Sequence, residues 1–152
     1  MSFSGKVKEE LAGQFSPARH CQVAEMAALL CGCGHVEKMP DGSRKLWIQT
    51  ENEAVARKSF TLLRKTFNIE TDVSNSRIDC FRKGTHLKRG KVYLVEVTDP
   101  AKAEQVLQGT KLSVDNETGL LEMDNSLVVQ MNCCKRAFIR GTFLSSGSIS
   151  DP

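Results

Sequence analysis

The sequence predicts an α+β fold in which one αββαββα unit is followed by the first helix of a second, pseudosymmetric repeat. Three observations lead there. Helical and two-residue hydrophobic periods alternate along the chain, turn and capping residues punctuate their boundaries, and a helix near residue 21 returns at an offset of 113 residues. The 152 residues, 40% hydrophobic and 26% charged, suit one core and the beginning of another. No apolar run approaches the roughly 18 residues of a membrane span.

The opening helix covers residues 4–12, with Ser4 as N-cap, Val7 and Leu11 on one face and Gly13 at its end. Ser16-Pro17 supplies an N-cap and a first-turn proline for a longer apolar helix that runs to Cys33 and stops at Gly34. Strands at 35–39 and 44–50 follow, reversed by Pro40-Asp41-Gly42-Ser43, because Leu46 and Ile48 alternate with Lys45, Trp47 and Gln49. Thr50-Glu51-Asn52-Glu53 has the capping-box pattern, and Val55, Ser59, Leu62, Leu63 and Phe67 recur at helical spacing up to Asn68. The two-residue period returns between Ile69 and Val97, in strands at 69–74, 77–82 and 91–97. Asp99-Pro100 caps a short helix to about residue 108, residues 109–124 carry no clear period, and a last helix starts near Asn132.

Sliding the chain along itself by 113 residues lays Cys21 through Gly34 on Cys134 through Gly147, with cysteine, alanine and terminal glycine coinciding. Each helix carries small residues four apart: Ala24, Ala28 and Gly32 in the first, Ala137, Gly141 and Ser145 in the second. Such residues share a helix face, and a face without bulk lets two backbones approach closely, so these six are expected to form an interface between the repeats. Glu25, Arg136 and Arg140 exclude the membrane version of the same logic.

Ala27-Ala28-Leu29-Leu30-Cys31-Gly32-Cys33-Gly34 and Arg140-Gly141-Thr142-Phe143-Leu144-Ser145-Ser146-Gly147, set in this order of elements, resemble the paired signature helices of the LAGLIDADG fold. The opening Met1-Ser2-Phe3-Ser4 with Val7-Lys8-Glu9-Glu10-Leu11 is similar to the WhiA family of bacterial regulators in particular. So are Thr50-Glu51-Asn52-Glu53-Ala54-Val55-Ala56-Arg57, Cys133-Cys134-Lys135-Arg136-Ala137, and the run from Gly147 to Pro152. The resemblance implies a LAGLIDADG homing-endonuclease-like repeat with its N-terminal helix over residues 1–130. Residues 131–152 would then hold the signature helix and start of a truncated second repeat, with the family's C-terminal helix-turn-helix domain outside this chain. It also implies a saddle of antiparallel strands that grips double-stranded DNA.

LAGLIDADG nucleases hold Mg²⁺ through an acid at the end of each signature helix, since a hard cation takes oxygen ligands. On this chain those positions are Cys33 and Ser146, and neither a soft thiol nor a neutral hydroxyl replaces a carboxylate. The nearest acids beyond them, Glu37 and Asp151, lie past the helix ends. No catalysis is therefore expected, a residual nuclease being the enzymatic alternative.

The net charge of +3 is unevenly distributed. Residues 77–91 contain Arg77, Arg82, Lys83, Lys88, Arg89 and Lys91 against Asp79 alone, so this segment carries +5 and the remainder −2. A local basic patch suits phosphates, and Lys45, Trp47 and Gln49 are expected to line the same DNA-binding surface. His86 lies in the same connection without a partner for acid–base work. The expected function is a non-catalytic DNA-binding module of a regulator of transcription in sporulation or cell division, located in the cytoplasm with the nucleoid. A protein–protein or dimerisation platform is the alternative from another class.

With no apolar leader at the start, the six cysteines are expected in a reducing cytosol, as thiols. Cys31, Cys33, Cys133 and Cys134 invite a zinc reading, but Cys31 and Cys33 point about 200° apart on their helix and Cys133 sits at the opposite end of its own. No metal and no cofactor are expected. The outer face of the last helix, including Phe138 and Phe143, is expected to lack part of its cover, which would favour self-association or contact with other regulatory proteins.

Overall fold

A computed structural model describes residues 3–69, 72–80, 88–123 and 129–147, with only the backbone described at 72–80 and 88–91. Five helices and six strands follow in chain order: α1 (Phe3–Ala12), α2 (Arg19–Cys33), β1 (Gly34–Lys38), β2 (Arg44–Thr50), α3 (Glu53–Phe67), β3 (Asp72–Cys80), β4 (Lys88–Val97), α4 (Pro100–Thr110), β5 (Leu112–Val114), β6 (Leu121–Met123) and α5 (Asn132–Ser146). Elements α2 to α4 are the αββαββα unit. None of the described helices is long and apolar enough to cross a membrane.

Strands β1 to β4 form one antiparallel sheet in the order β1-β2-β4-β3. Alternation sends Val36, Leu46, Ile48, Val95 and Val97 into the core, where they meet Met26, Leu29 and Leu30 of α2, Val55, Leu62 and Leu63 of α3, and Val106 and Leu107 of α4. Burial of this cluster is the main force that orders the helices on one side of the sheet.

Local chemistry sets several boundaries. The Asn52 side chain accepts hydrogen bonds from the amides of Ala54 and Val55, and α3 closes on Asn68 in the left-handed region at φ 53°. The capping role therefore belongs to Asn52, whereas Thr50 Oγ1 accepts from the Asn52 amide one step earlier. Asp99 caps α4 through the Ala101 amide with proline in the first turn, and that helix reaches Thr110, two residues beyond expectation. Gly42 takes φ +89° in the β1–β2 turn, where Asp41 Oδ1 accepts from the Ser43 amide.

Three elements depart from the sequence expectations. Helix α2 begins at Arg19 rather than at Pro17, with no side-chain cap, because Ser16 is engaged elsewhere: its carbonyl accepts from Gln22 Nε2 and its hydroxyl from Arg140 Nη2. Ser74-Asn75-Ser76 is not a break, since ladder pairing to Leu94, Tyr93 and Val92 keeps β3 continuous through these poor strand formers. The aperiodic stretch after residue 109 holds the β5–β6 hairpin, turned by Asp115 and by Gly119 at φ +71° and docked on β1 through the Val36 amide and Gly119 carbonyl.

Candidate nucleic-acid interface

The α2–α5 seam positions everything else. Equivalent residues of the two helices meet, so the helices lie side by side in the same sense. A Cβ on Gly141 would stand 2.6 Å from the Glu25 carbonyl oxygen and 2.8 Å from Ala28 Cβ, and one on Gly32 would run into the Ser145 side chain. Ala24 and Ala137 share a buried cluster with Cys21 and Cys134. The structure thus brings together all six small residues of the two stripes.

Charge enters the same seam. Glu25 is fully buried and receives Arg140 Nε at 2.6 Å and Lys58 Nζ at 3.2 Å. Lys58 Nζ also donates to the Gln14 carbonyl and lies 3.9 Å from the centroid of Phe15. Burial pushes the Lys58 ammonium below its ordinary value, an effect opposed by Glu25. One carboxylate therefore ties α2 to both α3 and α5. In the sequence Glu25 and Arg140 serve only to exclude a membrane, although a lone acid inside an apolar helix is itself a signal that a partner has to exist.

At the C-terminal end of the seam lie Cys33 and Ser146, the two positions at which the resemblance leads one to expect acids. Cys33 is buried, its thiol donates to the Leu29 carbonyl at 3.1 Å, and burial pushes its pKa up to about 12. Ser146 is exposed and donates to the Thr142 carbonyl. Cys33 and Gly32 open onto a groove of about 720 Å³ that also exposes Lys8, Glu9, Glu51 and Glu53. Glu9 is held by Arg57 at 2.5 Å, and among the described residues no three acids converge within reach of one ion. Glu37, one of the two acids nearest in sequence, is exposed on β1, and Asp151 lies outside the described residues.

The face of the sheet away from the helices carries His35 and Glu37 of β1 with Lys45, Trp47 and Gln49 of β2. His35 and Trp47 are ladder partners whose rings stack at 5.7 Å and 12°. Lys45, Trp47 and Gln49 thus share one half-buried face. Lys45 is not a free cation: it pairs with Glu96 at 3.7 Å and faces Glu37 across the ladder. Arg44, next to it, turns the other way and makes a two-pronged contact with Glu104 of α4 at 2.6 Å.

The basic residues gather at the other end of the sheet. Backbone register sets Arg77 opposite Lys91, Asp79 opposite Arg89 and Cys80 opposite Lys88 at the end of the β3–β4 hairpin. Arg82 and Lys83, with His86, lie outside the described residues.

The four thiols at 31, 33, 133 and 134 stay apart, as their places on the two helices require. Cys31 and Cys33 sit at the C-terminal end of α2, and Cys133 and Cys134 at the start of α5, beside His20 and Cys21. Phe138 and Phe143, expected to lack part of their cover, are both half-buried. Phe138 packs on the core, Phe143 is half-buried under the Lys8 ammonium, and Ile139 is the apolar residue of α5 left in solvent, 67% exposed.

Comparison with known proteins places this architecture. A family model described as the WhiA N-terminal LAGLIDADG-like domain matches residues 19–113. Over the full chain, the sequence is 48% identical to a probable cell division protein WhiA of Lachnoclostridium phytofermentans and 38% identical to one of Lachnospira eligens. The chain covers 47% and 46% of those two proteins, so it spans about half the length of the curated relatives it matches. The crystal structure of full-length DUF199/WhiA from Thermatoga maritima superposes with a TM-score of 0.61 at 16% identity, covering 100% of this chain and 42% of that one, a likeness of fold. The matched segment contains the first signature helix, the whole four-stranded sheet and the helices that cover it, and the chain belongs to the WhiA N-terminal LAGLIDADG-like domain family.

Proposed function

We propose that this chain is a non-catalytic DNA-binding module of a WhiA-like transcription regulator acting in cell division and sporulation. The observation that carries the reading is the charge of the β3–β4 hairpin, with six Lys or Arg and one acid over residues 77–91. The register of the hairpin holds Arg77, Lys91, Arg89 and Lys88 within a few residues of one another at one end of the sheet. Cations so concentrated displace counterions from a phosphate backbone, giving affinity with little dependence on sequence. The stacked His35–Trp47 pair and Gln49 extend the surface along the sheet, whereas Lys45, balanced by Glu96, adds little net charge.

The absence of catalysis rests on Cys33 and Ser146, whose thiol and hydroxyl cannot supply the oxygen ligands of a hard cation. The module would act by binding alone, on double-stranded DNA in the cytoplasm, with base reading left to a helix-turn-helix domain beyond this chain. Fluorescence anisotropy over a salt series tests this. DNA affinity should fall steeply with salt, and neutralising Arg82, Lys83 and Arg89 together should lower the slope of log K against log salt by about 2 to 3. A flat salt response in the unaltered chain would instead favour a protein–protein platform, for which the solvent-exposed Ile139 on α5 is the specific observation.

A further inference from the structure

We propose that His20, Cys21, Cys133 and Cys134 form a structural zinc site that clamps the N-terminal ends of α2 and α5 to each other. The four side chains bring their ligand atoms within 4.8 Å of one another. His20 Nδ1 lies 3.4 Å from Cys21 Sγ, 3.1 Å from Cys134 Sγ and 3.9 Å from Cys133 Sγ. A tetrahedral site with bonds of about 2.3 Å to sulfur and 2.0–2.1 Å to nitrogen sets its ligand atoms about 3.6–3.8 Å apart. The observed spacings bracket that value, so closure onto an ion needs shifts of less than about 1 Å.

The position of the site follows from the repeat. The offset of 113 that aligns Cys21 with Cys134 also aligns His20 with Cys133, so each helix contributes the second and third residues of its own first turn. In a seam where equivalent residues meet, two such pairs face each other around the local axis and make a four-ligand set from two two-ligand halves. Neither pair suffices alone, and the sequence separation of more than 110 residues between them explains why inspection of local spacing finds no zinc motif.

Ligand chemistry selects the ion. Three thiolates and an imidazole form a soft donor set with no oxygen, which suits zinc and excludes Mg²⁺ and Ca²⁺ as stable occupants. Three thiolates around a divalent ion leave one net negative charge, which the positive ends of two helix dipoles complement. Cys21 and Cys134 are buried and His20 and Cys133 are exposed, so the ion has an entry from solvent and a closed floor. Cys31 and Cys33 point apart on their helix and take no part in this site, which departs from the expectation that no metal binds.

The proposal is tested on the whole chain, purified with reductant, by elemental analysis after zinc loading and dialysis and by Co²⁺ absorption spectroscopy. About one zinc per chain is expected, with thiolate-to-cobalt charge-transfer bands and the visible bands of tetrahedral Co²⁺. His20→Ala and Cys133→Ser alter exposed residues and leave the buried thiols in place, and each should weaken retention at least tenfold with the circular dichroism spectrum unchanged. Cys31→Ser, at the other end of α2, should retain zinc as the unaltered chain does. Zinc should raise Tm by about 10 °C in the unaltered chain and by little in the two ligand variants. The proposal is overturned if the reduced chain retains no zinc, if Co²⁺ shows only octahedral oxygen-type bands, or if the ligand variants retain metal normally. It is equally overturned if Cys21 and Cys134 are recovered as a disulfide and the reduced chain then takes up no metal.

Discussion

The two ends of the α2–α5 seam are built on the same principle and carry opposite chemistry. At the C-terminal end stand Cys33, a protonated buried thiol, and Ser146, a hydroxyl turned back on its own helix. At the N-terminal end, His20, Cys21, Cys133 and Cys134 converge within one coordination sphere. Both ends receive equivalent residues from each helix, one apiece at the C-terminal end and two at the N-terminal end, because the repeat places them face to face. The difference teaches that pseudosymmetry delivers paired side chains to a point, while their identity decides whether the point can do anything. One end offers no carboxylate to a hard cation, and a soft-cation donor set stands at the other.

Between the ends, Glu25 is the pivot, and the largest expected effect lies there. Arg140→Ala removes the 2.6 Å ion pair and the contact to Ser16, leaving the buried carboxylate with Lys58 alone. A loss of about 3 kcal/mol in urea unfolding is expected, because breaking a buried pair leaves charge without full compensation. A loss under about 1 kcal/mol would mean that Lys58 alone satisfies Glu25 and that the seam does not depend on charge.

Gly141→Ala comes next. Its methyl would press on the Glu25 carbonyl oxygen and Ala28, neither of which can yield without moving α2, so a loss of about 2 kcal/mol is expected. Gly32→Ala would press on Ser145 Oγ and on Ser145 Cβ, which cannot turn away without moving α5, so it should cost at least as much. A loss under about 0.5 kcal/mol at either position would show that the helices separate easily there.

The smallest effect reads out the C-terminal end directly. The Cys33 thiol is raised from an ordinary 9.0 to about 12 by burial. Below pH 9 it is protonated whether the chain is folded or unfolded and contributes no pH dependence. Between pH 9 and 12 the unfolded chain releases a proton that the folded chain keeps, so stability falls as pH rises, by about 1.4 kcal/mol per pH unit at most. Cys33→Ala should flatten this part of the urea-midpoint profile by one proton. An unchanged slope would mean that the thiol ionises in the folded protein and that this end of the seam is wetter than its burial indicates.

The fold was legible where local chemistry and hydrophobic period agreed. Asn68, Asp99-Pro100 and Gly34 mark helix boundaries in the sequence as they do in the structure, and Leu46 and Ile48 face the core as their alternation requires. It was illegible where tertiary partners overrode local preference. The stretch after Ser74 reads as a gap between strands until β4 pairs with it, and Ser16-Pro17 reads as a helix start until Arg140 and Gln22 take up the serine. Similarly, Lys45 reads as a phosphate contact, yet Glu96, 51 residues away, already neutralises it.

By itself, the sequence determined the repeat, because an offset of 113 and small residues four apart are properties of the string and of helical geometry. It also determined that neither residue 33 nor residue 146 is a carboxylate, since that requires only their identities. Only the tertiary structure decided which groups meet: Glu25 with Arg140 and Lys58, and His20 and Cys21 with Cys133 and Cys134. The physical reason is that charge pairing and metal ligation act over a few ångströms, and chain separation sets no such distance until burial of the common core closes the two helices on each other.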